Sequence, residues 1–356
     1  MDDTPRRRDY SLTGEDGRCA VERGLATAAW YATPVPRKQM KALMQRRDGP
    51  AIRDTLIWLV ALLIAAAGGI RFWGSWWAVP FLFCYGVLYG SAGDSRWHEC
   101  GHGTAFRTRW MNVAVYNLAS FMLLREPVVW RWSHARHHTD TIIVGRDPEI
   151  AVPRPAQPWS VLLNLFALRS GPSSLRQILI HATGRLSPAE ESFIPASERH
   201  KVVRDARIFL AILLAATAGS ILAGSLLPLM LVGLPTFYGA WLMVVFGTTQ
   251  HAGLDEDVLD HRLNSRTVYM NRLCRFLYWN MNYHVEHHMF PMVPYHALPA
   301  LHEAIRHDCP QPYRGLVDAY REIIPALRRQ SRDGSYFVQR RLPDAAARAT
   351  LPVAAE

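Results

Sequence analysis

Apolar residues along this chain gather into blocks separated by polar, arginine-rich stretches, and the block lengths predict the elements. Residues 55–70 form one apolar run and residues 72–89 a second, with Arg71 as the lone charge in the turn between them. Each run falls a little short of the roughly 20 residues of a simple bilayer crossing, but so small a turn reads as a helical hairpin. Trp73, Trp76 and Trp77 open the second run as an interfacial aromatic belt would. Residues 208–227 and 229–246 make another pair, interrupted by Pro228 and Pro235, with no charge in the turn. Shorter runs at 113–124 and 161–168 fit re-entrant or interfacial pieces. The pattern predicts an all-α integral membrane protein of four transmembrane helices, arranged as two hairpins.

Charge orients those hairpins. Arg37, Lys38, Lys41, Arg46, Arg47 and Arg53 precede the first, and Arg96, Arg107, Arg109, Arg125, Arg131 and Arg136 lie between the two. Arg262, Arg266, Arg272 and Arg275 follow the second. By the positive-inside rule both termini and the central loop are cytoplasmic, in an inner (cytoplasmic) membrane. A formal charge of +10 would otherwise suggest nucleic-acid binding. The basic residues, however, flank apolar segments and form no recognition motif. A soluble all-α protein with very apolar core helices is the plainer alternative, and the charge asymmetry and tryptophan placement count against it.

Three stretches result: a basic interfacial arm at 1–53 with Trp30 and Tyr31 as anchors, a membrane domain at 54–310, and a cytoplasmic tail at 311–356, mobile from 335. Arg6, Arg7 and Arg8 are followed by no apolar core, so the arm does not read as a signal peptide. A hydrophobic content of 49% excludes whole-chain disorder. The five cysteines are scattered and contain no CxxC pair, which excludes a disulfide scaffold and a zinc or iron–sulfur motif.

Histidine is the residue that carries chemistry. His98 and His102 form an HxxxH, His134, His137 and His138 an HxxHH, His251 follows Gln250 alone, and His284, His287 and His288 form another HxxHH. On a helix, residues three and four apart share a face, so each group aims at least two imidazoles at one point. A chain of this histidine content produces one HxxHH by chance roughly one time in forty, and two with an HxxxH less than about once in a thousand. The predicted topology brings all nine to one membrane face as a histidine-rich cytoplasmic cap. Nine nitrogen ligands exceed what one tetrahedral zinc takes. They suit two five- or six-coordinate ions, and iron is the expected metal because open, nitrogen-rich coordination supports oxygen activation.

These boxes, threaded through two hairpins over residues 50–310, closely resemble the membrane fatty-acid desaturase and hydroxylase superfamily. Residues 132–155, WSHARHHTDTIIVGRDPEIAVPRP, are also similar to a bacterial branch containing rhizopine oxygenase and dihydrorhizobitoxine desaturase. The resemblance implies that all nine histidines ligate two iron ions, with dioxygen as co-substrate. It implies desaturation or hydroxylation of a C–H bond in a fatty acyl, lipid or related alkyl substrate, or, on the branch resemblance, in a small polar metabolite. It also implies a separate electron donor such as ferredoxin with its reductase, since the chain has no HPGG cytochrome b5 motif and no iron–sulfur cysteine set.

Glu99, Glu286, Asp94, Asp140, Asp147 and Glu149 sit near the boxes and are candidates for orienting ligand imidazoles. Pairing with nearby arginines is the alternative for each. Asn282 could serve a metal-bound water, though a local backbone contact is the simpler role. Met111, Met122, Met281 and Met289 read as packing. Two other functions compete. His98, Glu99 and His102 also satisfy the HExxH of an intramembrane zinc protease, which leaves both HxxHH groups without a role and places Gly101 in the helix it needs. A metal transporter or haem protein would favour ligands inside the spans rather than beyond them.

Overall fold

The computed structural model describes residues 8–343 apart from residue 27, so Arg6, Arg7 and residues 344–356 of the expected tail lie outside the described residues. The described chain is helical, with two isolated β-bridges and no β-strand. Ten helices carry the argument below. They are α1 (Asp48–Arg71), α2 (residues 78–102), α3 (Arg109–Met122), α4 (Pro127–Thr139), α5 (Ser170–Ala182), α6 (Arg199–Leu222), α7 (Trp241–His251), α8 (His284–Met289), α9 (Leu298–Ile305) and α10 (Leu316–Gln330).

Of the four apolar runs, two become helices long and apolar enough to cross a membrane, α1 and α6. Each has 24 residues, about 36 Å at 1.5 Å per residue. The second run does not end with its apolar residues. It forms the first part of α2, passes through a π-helical turn at Val87–Ser91, and continues as Ala92–His102 into the first histidine box. The fourth run is broken into Leu227–Leu231, Pro235–Tyr238 and α7. Its prolines lack a backbone N–H, and Gly233 takes a left-handed φ of +94° that ends the first piece. The 113–124 run lies in α3, which packs along α2, and the 161–168 run gives one short helix, Pro158–Asn164.

Close approach of α2 to its neighbours depends on glycine. A Cβ on Gly68 of α1 would lie 2.1 Å from the Phe81 ring, and one on Gly239 would lie 1.8 Å from the Gly86 carbonyl oxygen. At the π turn, the Ser91 hydroxyl donates to the Gly239 carbonyl (2.5 Å) and accepts from the Met243 N–H (2.8 Å). This fixes α7 against α2 just below the first box. The outward faces remain apolar and open, with Trp76 89% and Leu222 88% exposed.

Charges counted toward topology turn out to do structural work as well. Arg96 is fully buried in α2 with its guanidinium 4.9 Å from Trp279, 5.1 Å from Phe276 and 5.2 Å from Trp58. It donates to the carbonyls of Ala92, Phe276 and Leu277, tying α2 to the chain that leads into α8. Arg262 and Arg266 are buried too, paired with Asp260 and Asp308 and with Glu322. Nor do residues 335–343 hang free. Val338 donates to the Gly253 carbonyl (2.9 Å), and Arg340 donates to the Tyr313 hydroxyl (2.5 Å). Helix α10 joins a core of Ala252, Val268, Ala319, Ile323 and Leu327.

One buried ionic knot positions the second box. His181 of α5 donates from Nδ1 to Glu126 (2.7 Å) and from Nε2 to Glu190 (3.0 Å), and Glu126 immediately precedes α4. Burial disfavours the imidazolium, but the two carboxylates outweigh it and hold the pKa up at about 9. Replacing His181 with leucine is therefore expected to cost about 3 kcal/mol, as removing one partner of a buried pair does. Because the pKa is raised on folding, the stabilisation is complete below about pH 6.5. It is lost as pH rises through about 9. Unfolding of wild type and variant in detergent at pH 6 and pH 10 checks both points, and an equal gap at the two pH values would refute the ionic account.

Candidate metal centre

Four separate segments deliver the nine histidines to one place. Helix α2 supplies His98 and His102, α4 supplies His134, His137 and His138, α7 supplies His251, and α8 supplies His284, His287 and His288. In each box the i, i+3 and i+4 spacing puts the rings on one helical face, and the four faces point at each other.

The nine divide into two adjoining groups. In the first, His98 Nε2 lies 2.7 Å from His287 Nε2 and 3.3 Å from His134 Nε2. His134 Nε2 is 3.1 Å from His102 Nε2 and 3.2 Å from His138 Nε2, which is itself 3.2 Å from His287 Nε2. In the second, His284 Nε2 lies 2.9 Å from His251 Nε2 and 3.0 Å from His288 Nε2. His137 completes it, its ring centroid 5.3 Å from that of His251 and 4.9 Å from that of His288. The groups touch where His138 stacks on His288, with centroids 4.3 Å apart.

Partners of the outer nitrogens decide which form four of the rings take. Nδ1 of His134 donates to Glu149 (2.9 Å), Nδ1 of His137 to Asp147 (2.8 Å) and Nδ1 of His251 to the Asn264 carbonyl (2.7 Å). The Thr141 hydroxyl already donates to the His137 carbonyl, so at 3.2 Å from His288 Nδ1 it accepts. With the proton on Nδ1, the Nε2 lone pair faces inward. Burial first, then neighbouring imidazoles, pushes the pKa of His98, His102, His138, His251, His284, His287 and His288 well below the ordinary histidine value, so these rings are neutral. For His137 burial acts the same way but Asp147 outweighs it, and its pKa is raised. Burial likewise opposes ionisation of Glu149, and His134 with its hydrogen bond overrides it, leaving the carboxylate at about 2.

Inward lone pairs at 2.7–3.3 Å repel one another unless a cation lies among them. Two nitrogens bound at right angles, each about 2.1 Å from a metal, are about 3 Å apart. The donor set therefore fits nitrogen-ligated metal ions, with five imidazoles in the first group and His137, His251 and His288 in the second, His284 standing beside them.

The carboxylates separate into orienting groups and structural ones. Asp147 and Glu149 hold imidazoles as expected, and Glu99 lies 3.6 Å from His287 Nδ1. Asp94 instead pairs with Arg125, and Asp140 with Arg136 and Arg146. Glu286 accepts from His302 Nδ1 (2.5 Å) and from the Thr267 hydroxyl (2.6 Å), so it supports α8 without touching any of the nine rings. Asn282 makes the local contact, donating to the Val268 carbonyl. Sequence reasoning missed Thr141, Asn264, His261 and His302, none of which stands in a motif.

The protease reading does not survive this geometry. Glu99 is fully buried, accepts from the Tyr295 N–H (3.1 Å) and the Thr104 hydroxyl (3.2 Å), and is raised by burial to about 8. It does not face the nitrogens of His98 and His102, which share their group with His134, His138 and His287.

A sequence model of the fatty acid desaturase family matches residues 74–320, which hold all nine histidines. The chain belongs to the fatty acid desaturase family. It is similar to the chloroplastic omega-3 fatty acid desaturase of Glycine max, 27% identical over 270 residues that make up 70% of this chain and 55% of that enzyme. It is also similar to the Delta(12)-acyl-lipid-desaturase of Punica granatum, 32% identical over 99 residues, or 27% of this chain and 24% of that one. This desaturase-family chain thus spans about half the length of the first relative and a quarter of the second.

A cavity of about 440 Å³ opens onto the centre and is walled by His98, His134, His137, His251 and His284 on one side. Beyond them it is lined by apolar residues such as Leu123, Ile150, Val152 and Met243. The pair of Asp94 and Arg125 also borders it. The Arg125 guanidinium sits 4.4 Å from the Trp97 ring and 4.8 Å from the Trp130 ring.

The two groups predict separable losses. His287→Ala and His137→Ala should each lower bound metal, and Asp147→Asn or Glu149→Gln should weaken affinity roughly 10- to 100-fold, as loss of an imidazole's outer partner does. Asp140→Asn should leave metal unchanged. Mass-spectrometric metal analysis after dialysis against a graded chelator reads all five, and full retention in His137→Ala or His287→Ala would sink the assignment.

Proposed function

We propose that this member of the desaturase family is a membrane-bound di-iron oxidoreductase that uses dioxygen and external electrons to desaturate or hydroxylate a C–H bond. The observation that carries the reading is the convergence of nine imidazoles into two adjoining groups beside a cavity. Iron suits the donor set better than zinc, because five imidazoles exceed a tetrahedral shell. Iron bound there would supply the oxygen activation and hydrogen abstraction that no side chain can perform.

The chain's own residues do the rest. Asp147, Glu149 and the Asn264 carbonyl keep Nε2 of His137, His134 and His251 aimed inward, so that these three rings need not reorganise. Trp97, its ring centroid 5.4 Å from that of His134, closes the centre on the side of the Trp130 ring. The cavity wall places the substrate carbon against His98, His134 and His251. On this reading α1 with the first part of α2, and α6 with the broken segment to α7, make two hairpins and four passages. Their open apolar faces meet lipid, and the histidines lie at the cytoplasmic ends.

An alkyl-chain substrate agrees with the relatives' names, an acyl-lipid desaturase and a fatty acid desaturase. A small polar substrate is favoured by one observation, the ion pair of Asp94 and Arg125 in the cavity wall, which offers charged groups that a polar substrate can hydrogen-bond and an alkyl chain cannot. Protein purified anaerobically in detergent with iron should hold about two irons per chain. Given oxygen, reduced ferredoxin and its reductase, it should then convert either stearoyl-lipid or a polar ether or amino acid from a small panel, read by mass spectrometry. A single zinc held by the wild type, with no oxidised product from any substrate, would overturn the proposal.

A further inference from the structure

Two more rings, neither of which lines the cavity, continue outward from the centre. Trp30 is half-buried in the N-terminal arm, and its indole N–H donates to the carbonyl of Thr139, the residue after the second box (3.0 Å). Its ring lies flat on that of His261, with centroids 4.2 Å apart and planes 3° from parallel. His261 is 3% exposed, belongs to none of the boxes, and lies 5.1 Å, centroid to centroid, from His288. The neighbouring backbone pins both rings. Tyr31 donates to the Leu259 carbonyl (2.9 Å), and the Asp260 side chain caps the turn that His261 opens, accepting from the Arg262 N–H (3.0 Å).

Stacked rings thus run from the surface to a metal-facing imidazole, and π systems in van der Waals contact couple electronically better than saturated side chains. Seven residues after Trp30, the helix Arg37–Leu43 begins, and it leaves Arg37, Lys38 and Lys41 exposed. A protein partner that settles over Trp30 meets this basic face, so complementarity favours an acidic one.

We propose that the Trp30–His261 stack is where electrons enter the centre, delivered by a one-electron carrier protein with an acidic docking face. The inference rests on the iron reading above. Each transfer oxidises the carrier by one electron and reduces one ferric ion in the group of His137, His251, His284 and His288 to ferrous. No bond forms or breaks, and the rings take up no proton.

The test uses full-length, iron-loaded, oxidised protein in detergent under nitrogen, with absorbance of the ferric centre followed by stopped flow. Reduced plant-type [2Fe–2S] ferredoxin, which is acidic, and dithionite serve as separate reductants. W30L should slow reduction by ferredoxin about tenfold or more, within the range that interface variants span. W30F, which keeps a ring, should stay near wild type. Iron content and dithionite reduction should be unchanged in both, and added salt should slow the ferredoxin reaction alone. W30L reduced by ferredoxin at the wild-type rate would overturn the proposal. So would a W30L that loses iron or slows equally with dithionite, since Trp30 would then be structural. Wild type that dithionite reduces but ferredoxin does not would overturn the acidic carrier. Wild type that loads no iron would instead remove the reading beneath it, and the metal analysis made before the kinetics shows which has failed.

Discussion

Mutual repulsion among neutral imidazoles is the constraint on which this structure depends. Nine Nε2 atoms face a common space, some only 2.7 Å apart, and burial holds seven of these rings neutral. Such an arrangement is stable when cations lie among the nitrogens, so much of the surrounding protein holds the rings in place for that purpose. Outer hydrogen bonds to Glu149, Asp147, the Asn264 carbonyl and Thr141 settle the tautomers of four rings. Burial then removes the alternative of protonation by making charge costly.

Helix α2 links the apolar part of the molecule to that centre. Its first half packs against α1 and the 235–239 turn through glycines, and its second half carries the first box. The π turn between the halves changes the helical phase just before the ligands, a place where such irregularities commonly sit. Ser91 consolidates it by bonding to Gly239 and Met243, and buried Arg96 one turn later ties it to Phe276 and Leu277. A displacement of α2 would therefore be felt by α7 and by the segment entering α8, both of which supply ligands.

Arginine serves two purposes here. Its clustering between the apolar blocks was readable without coordinates. Several of the same residues are nevertheless interior. Arg96, Arg262 and Arg266 are buried against aromatic rings, carbonyls and carboxylates. Counting charges along a sequence cannot distinguish a solvated arginine from a buried one. The difference depends on partners such as Asp308 and Glu322, which lie tens of residues away in sequence.

What the sequence by itself determined is local. Ligand spacings of three and four put imidazoles on one helical face, whatever surrounds them. The apolar blocks defined the helical class, and proximity in sequence found two of the orienting carboxylates, Asp147 and Glu149, just past the second box. That the boxes converge was expected from the topology and the family resemblance, but how the segments meet was not legible. The division of the nine rings into two groups, the pairing of Glu286 with His302 rather than with a ligand, the breaks in the last apolar run and the stack of Trp30 on His261 all belong to the tertiary structure. Each is set by distances of a few ångströms between residues far apart in the chain, and no periodicity along the chain encodes such distances.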